Sequence, residues 1–153
     1  MLEEFFNKRN LKLRILGFMN TRNKTLLRSL LKIKRVHAFV EVSDPIANYQ
    51  DIKKDGLATI SYVKTPYGRQ TKDFDSLNLL LPILKFDRSN ENNSSSRFYS
   101  GLSFYKRFSS PKKLITHINS LLIKEKLIQI KLDIYNQMIS EKSYNEMFYK
   151  NLF

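Results

Sequence analysis

The side chains able to move protons or hold a metal are few and badly placed for it. The two histidines, His37 and His117, lie far apart in sequence, and neither has a carboxylate or a second histidine at ligand spacing such as i+4 on a helix. Both read as surface or structural residues. Asp73 and Asp75 are close together in Lys72-Asp73-Phe74-Asp75, but no further polar groups surround them, and solvated turn positions are expected. There is no cysteine, which removes thiol chemistry, disulfides and thiolate metal sites. No glycine-rich phosphate loop, nucleophile elbow or His-Glu-x-x-His helix is present. The chain is expected to be no enzyme, with no catalytic residue, metal, cofactor or small-molecule substrate.

The chemistry in the sequence is electrostatic. Lys and Arg number 27 against 14 Asp and Glu, a formal net charge of +13 over 153 residues. Such a chain repels itself unless a polyanion stays bound, and nucleic acid is the first candidate. One cluster comprises Lys8, Arg9, Lys12, Arg14, Arg22, Lys24 and Arg28 and continues to Lys32, Lys34 and Arg35, opposed up to that point only by Glu3 and Glu4. A second comprises Arg97, Lys106, Arg107, Lys112 and Lys113, interleaved with Phe98, Tyr99, Phe104, Tyr105 and Phe108. Arginine can fork onto phosphate while aromatic rings offer stacking planes, the combination by which single-stranded RNA is held; about half of these rings are expected in the core instead. A third cluster, Lys124, Lys126 and Lys131, is compensated by Glu125 and Asp133. RNA is favoured over duplex DNA because no helix-turn-helix, basic zipper or zinc finger is visible.

These residues must be carried by folded elements, since 42% hydrophobic and 12% aromatic content supports a packed interior. Leu11, Leu13 and Ile15 alternate with Lys12 and Arg14, which predicts a strand. Thr21, Asn23 and Thr25 are possible caps for an amphipathic helix with Leu26, Leu27, Leu30 and Leu31 on one face and Arg28, Lys32 and Arg35 on the other. Strands are predicted over 36–42, 57–63 and 79–86, the last with Pro82 inside it and therefore at an edge or bulge. Residues 87–96 are low in complexity and read as a mobile loop, and Gly101 marks a kink in an extended stretch over 98–105. Ser110-Pro111 opens a helix with Leu114, Ile115, Ile118, Leu121 and Leu122 on its buried face. Ile128, Ile130, Leu132 and Ile134 alternate with polar residues and predict a strand, followed by a helix over 138–150. No internal repeat and no regular β-α-β alternation is visible. The expected class is α+β, mixed short strands and amphipathic helices in two small lobes: 1–86 with the basic helix, a low-complexity loop at 87–97, and 98–153. No apolar run is long enough to span a bilayer.

Ser100-Gly101-Leu102-Ser103-Phe104-Tyr105-Lys106-Arg107, followed by Pro111-Lys112, resembles a stretch of the small-subunit ribosomal protein S-eight family. There a Pro-Gly-x-Arg-x-Tyr strand precedes a proline that opens a helix. Gly101 and Tyr105 match, while Ser100 stands for the family's proline and Ser103 for its usual arginine. Leu30-Leu31-Lys32 leading into 36–42 looks like the family's second helix and first strand. Tyr135-Asn136-Gln137-Met138 falls where the family has a serine-rich RNA-contacting loop, which is not kept in letter. Residues 67–76 and 87–96 would be insertions. The resemblance implies two α+β lobes and binding to small-subunit ribosomal RNA beside neighbouring ribosomal proteins, with Tyr135 and Asn136 among the RNA contacts.

Abundant Asn, Lys and Ile match AT-rich coding, and the acidic start Glu3-Glu4 is unlike an import signal. Both point to a mitochondrial, organelle-encoded protein acting on the ribosome in the matrix. The alternatives are another small-subunit protein such as the protein-ten family, an accessory basic subunit of an organellar membrane complex resting on anionic lipid, or, third, a nuclease.

Overall fold

The computed structural model describes residues 1–16, 21–33, 39–43, 52, 56–61, 71–86, 99 and 101–150, and within these the side chains of Leu16, Ile33, 41–43, 71–72 and 142–150 are not described. The fold is α+β, and the chain divides into two compact units, Met1–Tyr49 and Gln50–Phe153. The division expected at 87–97 therefore falls elsewhere. The physical reason is that the strand before those residues hydrogen-bonds to the strand after them, which ties both into one sheet.

The first unit begins with α1 (Leu2–Lys8), then β1 (Leu13–Leu16), α2 (Thr21–Ile33) and β2 (Val40–Ser43). Phe5 and Phe6 of α1 are buried, and Phe6 stacks on Phe39 with ring centroids 5.0 Å apart. β1 and β2 run parallel, with Leu13 opposite Val40 and Ile15 opposite Val42. The alternation over 11–15 holds: Lys12 and Arg14 are exposed while Leu11, Leu13 and Ile15 are half-buried. α2 forms where its leucine spacing predicts, but Leu26 and Leu30 are exposed and only Leu27 and Leu31 are partly covered.

The second unit contains β3 (Thr59–Ser61), α3 (Thr71–Asn78), β4 (Ile83–Phe86), β5 (Tyr105–Phe108), α4 (Pro111–Leu121) and α5 (Lys124–Lys150). Its sheet has the order β3-β4-β5, parallel throughout, with β4 in the centre. Parallel pairing needs crossovers, so β1-α2-β2 and β3-α3-β4 are β-α-β units that the sequence reading did not anticipate. A strand covered on both faces loses its alternation, and Ile83, Leu84 and Lys85 are all buried. Pro82 does not interrupt an edge strand; it precedes the central one, where its missing N–H costs no ladder bond and its carbonyl accepts from Thr59 N–H at 2.9 Å.

The two units share a device that the sequence hides. α1 and α3 each end in a Schellman turn on a residue with positive φ, Asn10 (51°) and Leu80 (55°). The bonds correspond: Leu11 N to Phe6 O and Leu81 N to Ser76 O, both 2.9 Å, then Asn10 N to Asn7 O and Leu80 N to Leu77 O. Each turn feeds a strand whose first N–H, of Leu13 or Ile83, bonds at 2.8 Å to the carbonyl of Phe39 or Phe104. Helix, left-handed turn and strand are thus repeated with almost no identity of sequence.

Two further differences concern helices. Residues 71–78 form α3, the crossover helix, and residues 128–134 lie in the middle of the 27-residue helix α5. The period-two run is degenerate with a helix: Ile130, Ile134 and Met138 pack on the core of Leu77, Ile83, Tyr99, Phe104 and Tyr105, whereas Ile128 and Leu132 point outward. Gln129 donates to Asp133 at 2.9 Å and Gln137 to Glu141 at 3.2 Å, i,i+4 pairs that only a helix allows. The start of α4 follows expectation, with Pro111 at its first position and the Ser110 hydroxyl accepting from Lys113 N–H at 3.3 Å. Gly101 has φ 84° and does mark a bend. Residues 36–38 and 62–63, predicted as strand, and 87–96, predicted as a loop, lie outside the described residues.

Candidate nucleic-acid interface

In the first unit the cations decorate three elements. Lys8 is exposed in the last turn of α1, where a positive charge suits the helix dipole. Arg9 follows it, exposed, with its guanidinium carbon 4.6 Å from the centroid of Phe5, a cation–π contact that holds it against α1. Arg14 is exposed on β1, beside Glu41 in the register of β2. Arg22, Arg28 and Lys32 are exposed along α2, and Lys24 is half-buried. α2 contains no acidic residue, and cations occupy its first turn.

In the second unit Lys106 is exposed and Arg107 half-buried on β5, and as neighbours on a strand they point to opposite faces of the sheet. The Arg107 carbonyl accepts from His117 Nε2–H at 3.1 Å, which ties α4 to β5 and gives this histidine the structural role expected of it. Lys112 and Lys113 are exposed in the first turn of α4, again with no acid beside them.

The contrast with the other helices is the electrostatic point. α1 has Glu3 and Glu4 in its first turn, α3 has Asp73 and α5 has Glu125, each complementing the partial positive charge of a helix start. α2 and α4 invert the rule by placing lysine or arginine there. Each such start adds side-chain cations to the partial positive charge of the helix dipole, an arrangement relieved by an anion.

Among the described residues, more of the aromatic rings of this cluster lie in the core than the expected half. Tyr99, Phe104, Tyr105 and Phe108 are all buried, and Tyr99 packs on Tyr105 with centroids 5.5 Å apart. Tyr105 is therefore a core residue, not a stacking platform. In β5 Tyr105 shares one face with Arg107 and Phe108 the other with Lys106, and both rings are buried, so each face of the strand carries one ring and one cation. Arg97, Phe98 and His37 lie outside the described residues.

Tyr135 and Asn136 are exposed on α5. Asn136 borders an open groove of about 380 Å³ that also holds Gly101, Ser103, Asp133 and Gln137. The Ser103 hydroxyl donates to Asp133, and this bond, with that from Gln129, holds the carboxyl below the usual carboxylate range. A carboxylate here disfavours phosphate in the groove that Asn136 borders.

Sequence reasoning missed one polar cluster entirely. Lys85 is buried in the central strand, and its ammonium donates to Ser61 Oγ at 3.1 Å. Asp73, expected in a solvated turn, is buried on α3 instead; Asp75 is exposed as expected. Burial pushes the Asp73 carboxyl above the usual range, partly offset by the positive charge of Lys85. Thr59 Oγ1 donates to Ser76 Oγ at 2.8 Å alongside. The available signal was Lys85 itself, a lone charge inside the apolar run 79–86, which demands a partner once buried. No family model, curated protein or solved structure matches the chain.

Proposed function

We propose that this protein is a non-catalytic, RNA-binding constituent of a small ribosomal subunit, acting in translation on a mitochondrial ribosome in the matrix. The observation that carries the reading is the pair of helix starts, α2 and α4, that gather cations without acids while each of the other three described helices has at least one acid in its first turn. With a net charge of +13, sites of this kind are relieved by polyanionic backbone. Arg22, Lys24 and Arg28 on α2 and Lys106, Lys112 and Lys113 in the second unit are the phosphate contacts; the likeness of residues 100–112 to the protein S-eight family supplies the ribosomal assignment. The protein is expected to sediment with small-subunit RNA and to leave that fraction on ribonuclease treatment. Retention in a ribonuclease-resistant membrane complex would refute the assignment.

A second reading rests on α2 alone. Leu26 and Leu30 are 59% and 46% exposed beside Arg22 and Arg28, the composition of a helix lying on an anionic lipid surface. Flotation with cardiolipin-containing vesicles, undiminished by competing RNA, would favour that accessory-subunit reading over the ribosomal one.

A further inference from the structure

The groove that Asn136 borders has two walls. One is the bend over 101–104, and the other is a polar face of α5 on which Asp133, Asn136, Gln137 and Ser140 follow at i, i+3, i+4 and i+7. At about 380 Å³ it lies near the lower end of the range for small-molecule sites, a size that suits a single planar ring system.

Asp133 sets its chemistry. The Ser103 hydroxyl and the Gln129 amide donate to the two carboxylate oxygens, one to each, and hold the group ionised. An ionised carboxylate is an acceptor only, with about four acceptor positions, so about two stay open. Among the described residues no lysine or arginine pairs with it, although the net charge of the chain is +13. Asn136 is exposed beside it and offers its amide, whereas Gln137 is committed to Glu141 at 3.2 Å.

A ligand for this groove must present donors to the carboxylate and an acceptor to the amide. A partner's arginine or a metal cation could supply the first, but each must approach a body whose net positive charge repels it. RNA is drawn in by the same field, and its bases are neutral. Among the four bases guanine alone sets two donors side by side on its Watson–Crick edge, N1–H and the N2 amino group, next to the O6 acceptor. We infer that the groove takes this edge of an unpaired guanine, with Asp133 accepting from N1–H and N2–H and the Asn136 amide donating to O6. Lys126 is exposed on the same face of α5, seven residues and so about 10 Å before Asp133, where it can meet a neighbouring phosphate outside the groove. The inference rests on the RNA-binding reading and adds a base-specific contact to its phosphate contacts.

The test uses the full chain and labelled uridine decamers whose central residue is guanosine, inosine, adenosine or uridine, read by fluorescence anisotropy at fixed ionic strength. The guanosine oligomer should bind about fivefold to a hundredfold more tightly than the all-uridine one, the discrimination expected of one bidentate base contact. Inosine lacks the N2 amino group and should lose most of that preference. Asp133→Asn should bring the guanosine oligomer down to the level of the uridine one, because an amide sets its own donor against a donor of guanine. Equal binding of all four oligomers by the wild type would overturn the inference and leave the phosphate contacts standing. No binding at low salt would remove the RNA-binding reading with it. A guanine preference that survives Asp133→Asn would place the contact elsewhere, and an equal gain for every oligomer in that variant would reduce the carboxylate to repulsion of backbone; either result refutes the assignment. Binding of a labelled arginine-rich peptide that Asp133→Asn abolishes would give the groove to a protein partner instead.

Discussion

Removing either member of the buried Asp73–Lys85 pair should destabilise the second unit far more than removing both. Both side chains are 1% exposed, and the lysine spans from the central strand to Ser61 on β3. Asp73→Leu would remove the carboxylate whose charge the buried Lys85 faces, a loss of about 3–5 kcal/mol out of a total of about 5–15 for a domain. In a unit of this size that corresponds to a fall in Tm of more than about 10 °C. Lys85→Met removes the one influence that lowers the Asp73 pKa, so burial acts alone and the carboxyl holds its proton still more tightly when folded. A folded pKa above the unfolded value means that the native state binds the extra proton. Its stabilising contribution is full below the ordinary carboxylate range and is lost as pH rises through the folded value. The cost of Lys85→Met should therefore be least near pH 4 and grow toward neutrality, by at most about 1.4 kcal/mol per unit. The double variant Asp73→Leu, Lys85→Met should lie close to the wild type, because neither charge is then stranded. Urea unfolding followed by circular dichroism from pH 4 to 8 reads all four proteins. Additive losses in the double variant, or a pH-independent cost for Lys85→Met, would refute the coupling.

Ser110→Ala should cost about 1 kcal/mol by removing the acceptor for Lys113 N–H, with faster amide exchange confined to the first turn of α4. The Asp133 carboxyl should titrate below the ordinary range by NMR and rise toward it in Ser103→Ala. Its depressed folded pKa contributes stability that is present above the unfolded value and lost as pH falls through the folded one.

The elements legible in the sequence were those whose signals are local. Alternation around Lys12 and Arg14, the leucine spacing of α2, and Ser110-Pro111 ahead of Leu114 each state their structure within a few residues, and each holds. What could not be read depends on partners distant in sequence. Ile128 to Ile134 alternates like a strand because a helix with apolar residues on two faces produces the same letters. Asp73 looks solvated until Lys85 arrives beside it from the next strand. Leu80 in the left-handed region has no sequence signature, since glycine or asparagine would be expected there. Most of the described lysines and arginines chosen from charge alone are exposed, while Lys24 and Arg107 are half-buried. The burial of Tyr105 could not be read, since Tyr-Lys-Arg-Phe does not alternate and both faces of β5 bury a ring, Tyr105 on one and Phe108 on the other.

The most direct test of the RNA-binding account is the salt dependence of binding between the full chain and small-subunit RNA, compared with the variant Arg22→Ala, Arg28→Ala, Lys112→Ala, Lys113→Ala. The account predicts tight binding at low ionic strength and a log–log slope that flattens by about 0.7–0.9 for each phosphate contact removed. An unchanged slope in the variant, or no binding by the wild type at low salt, would contradict it.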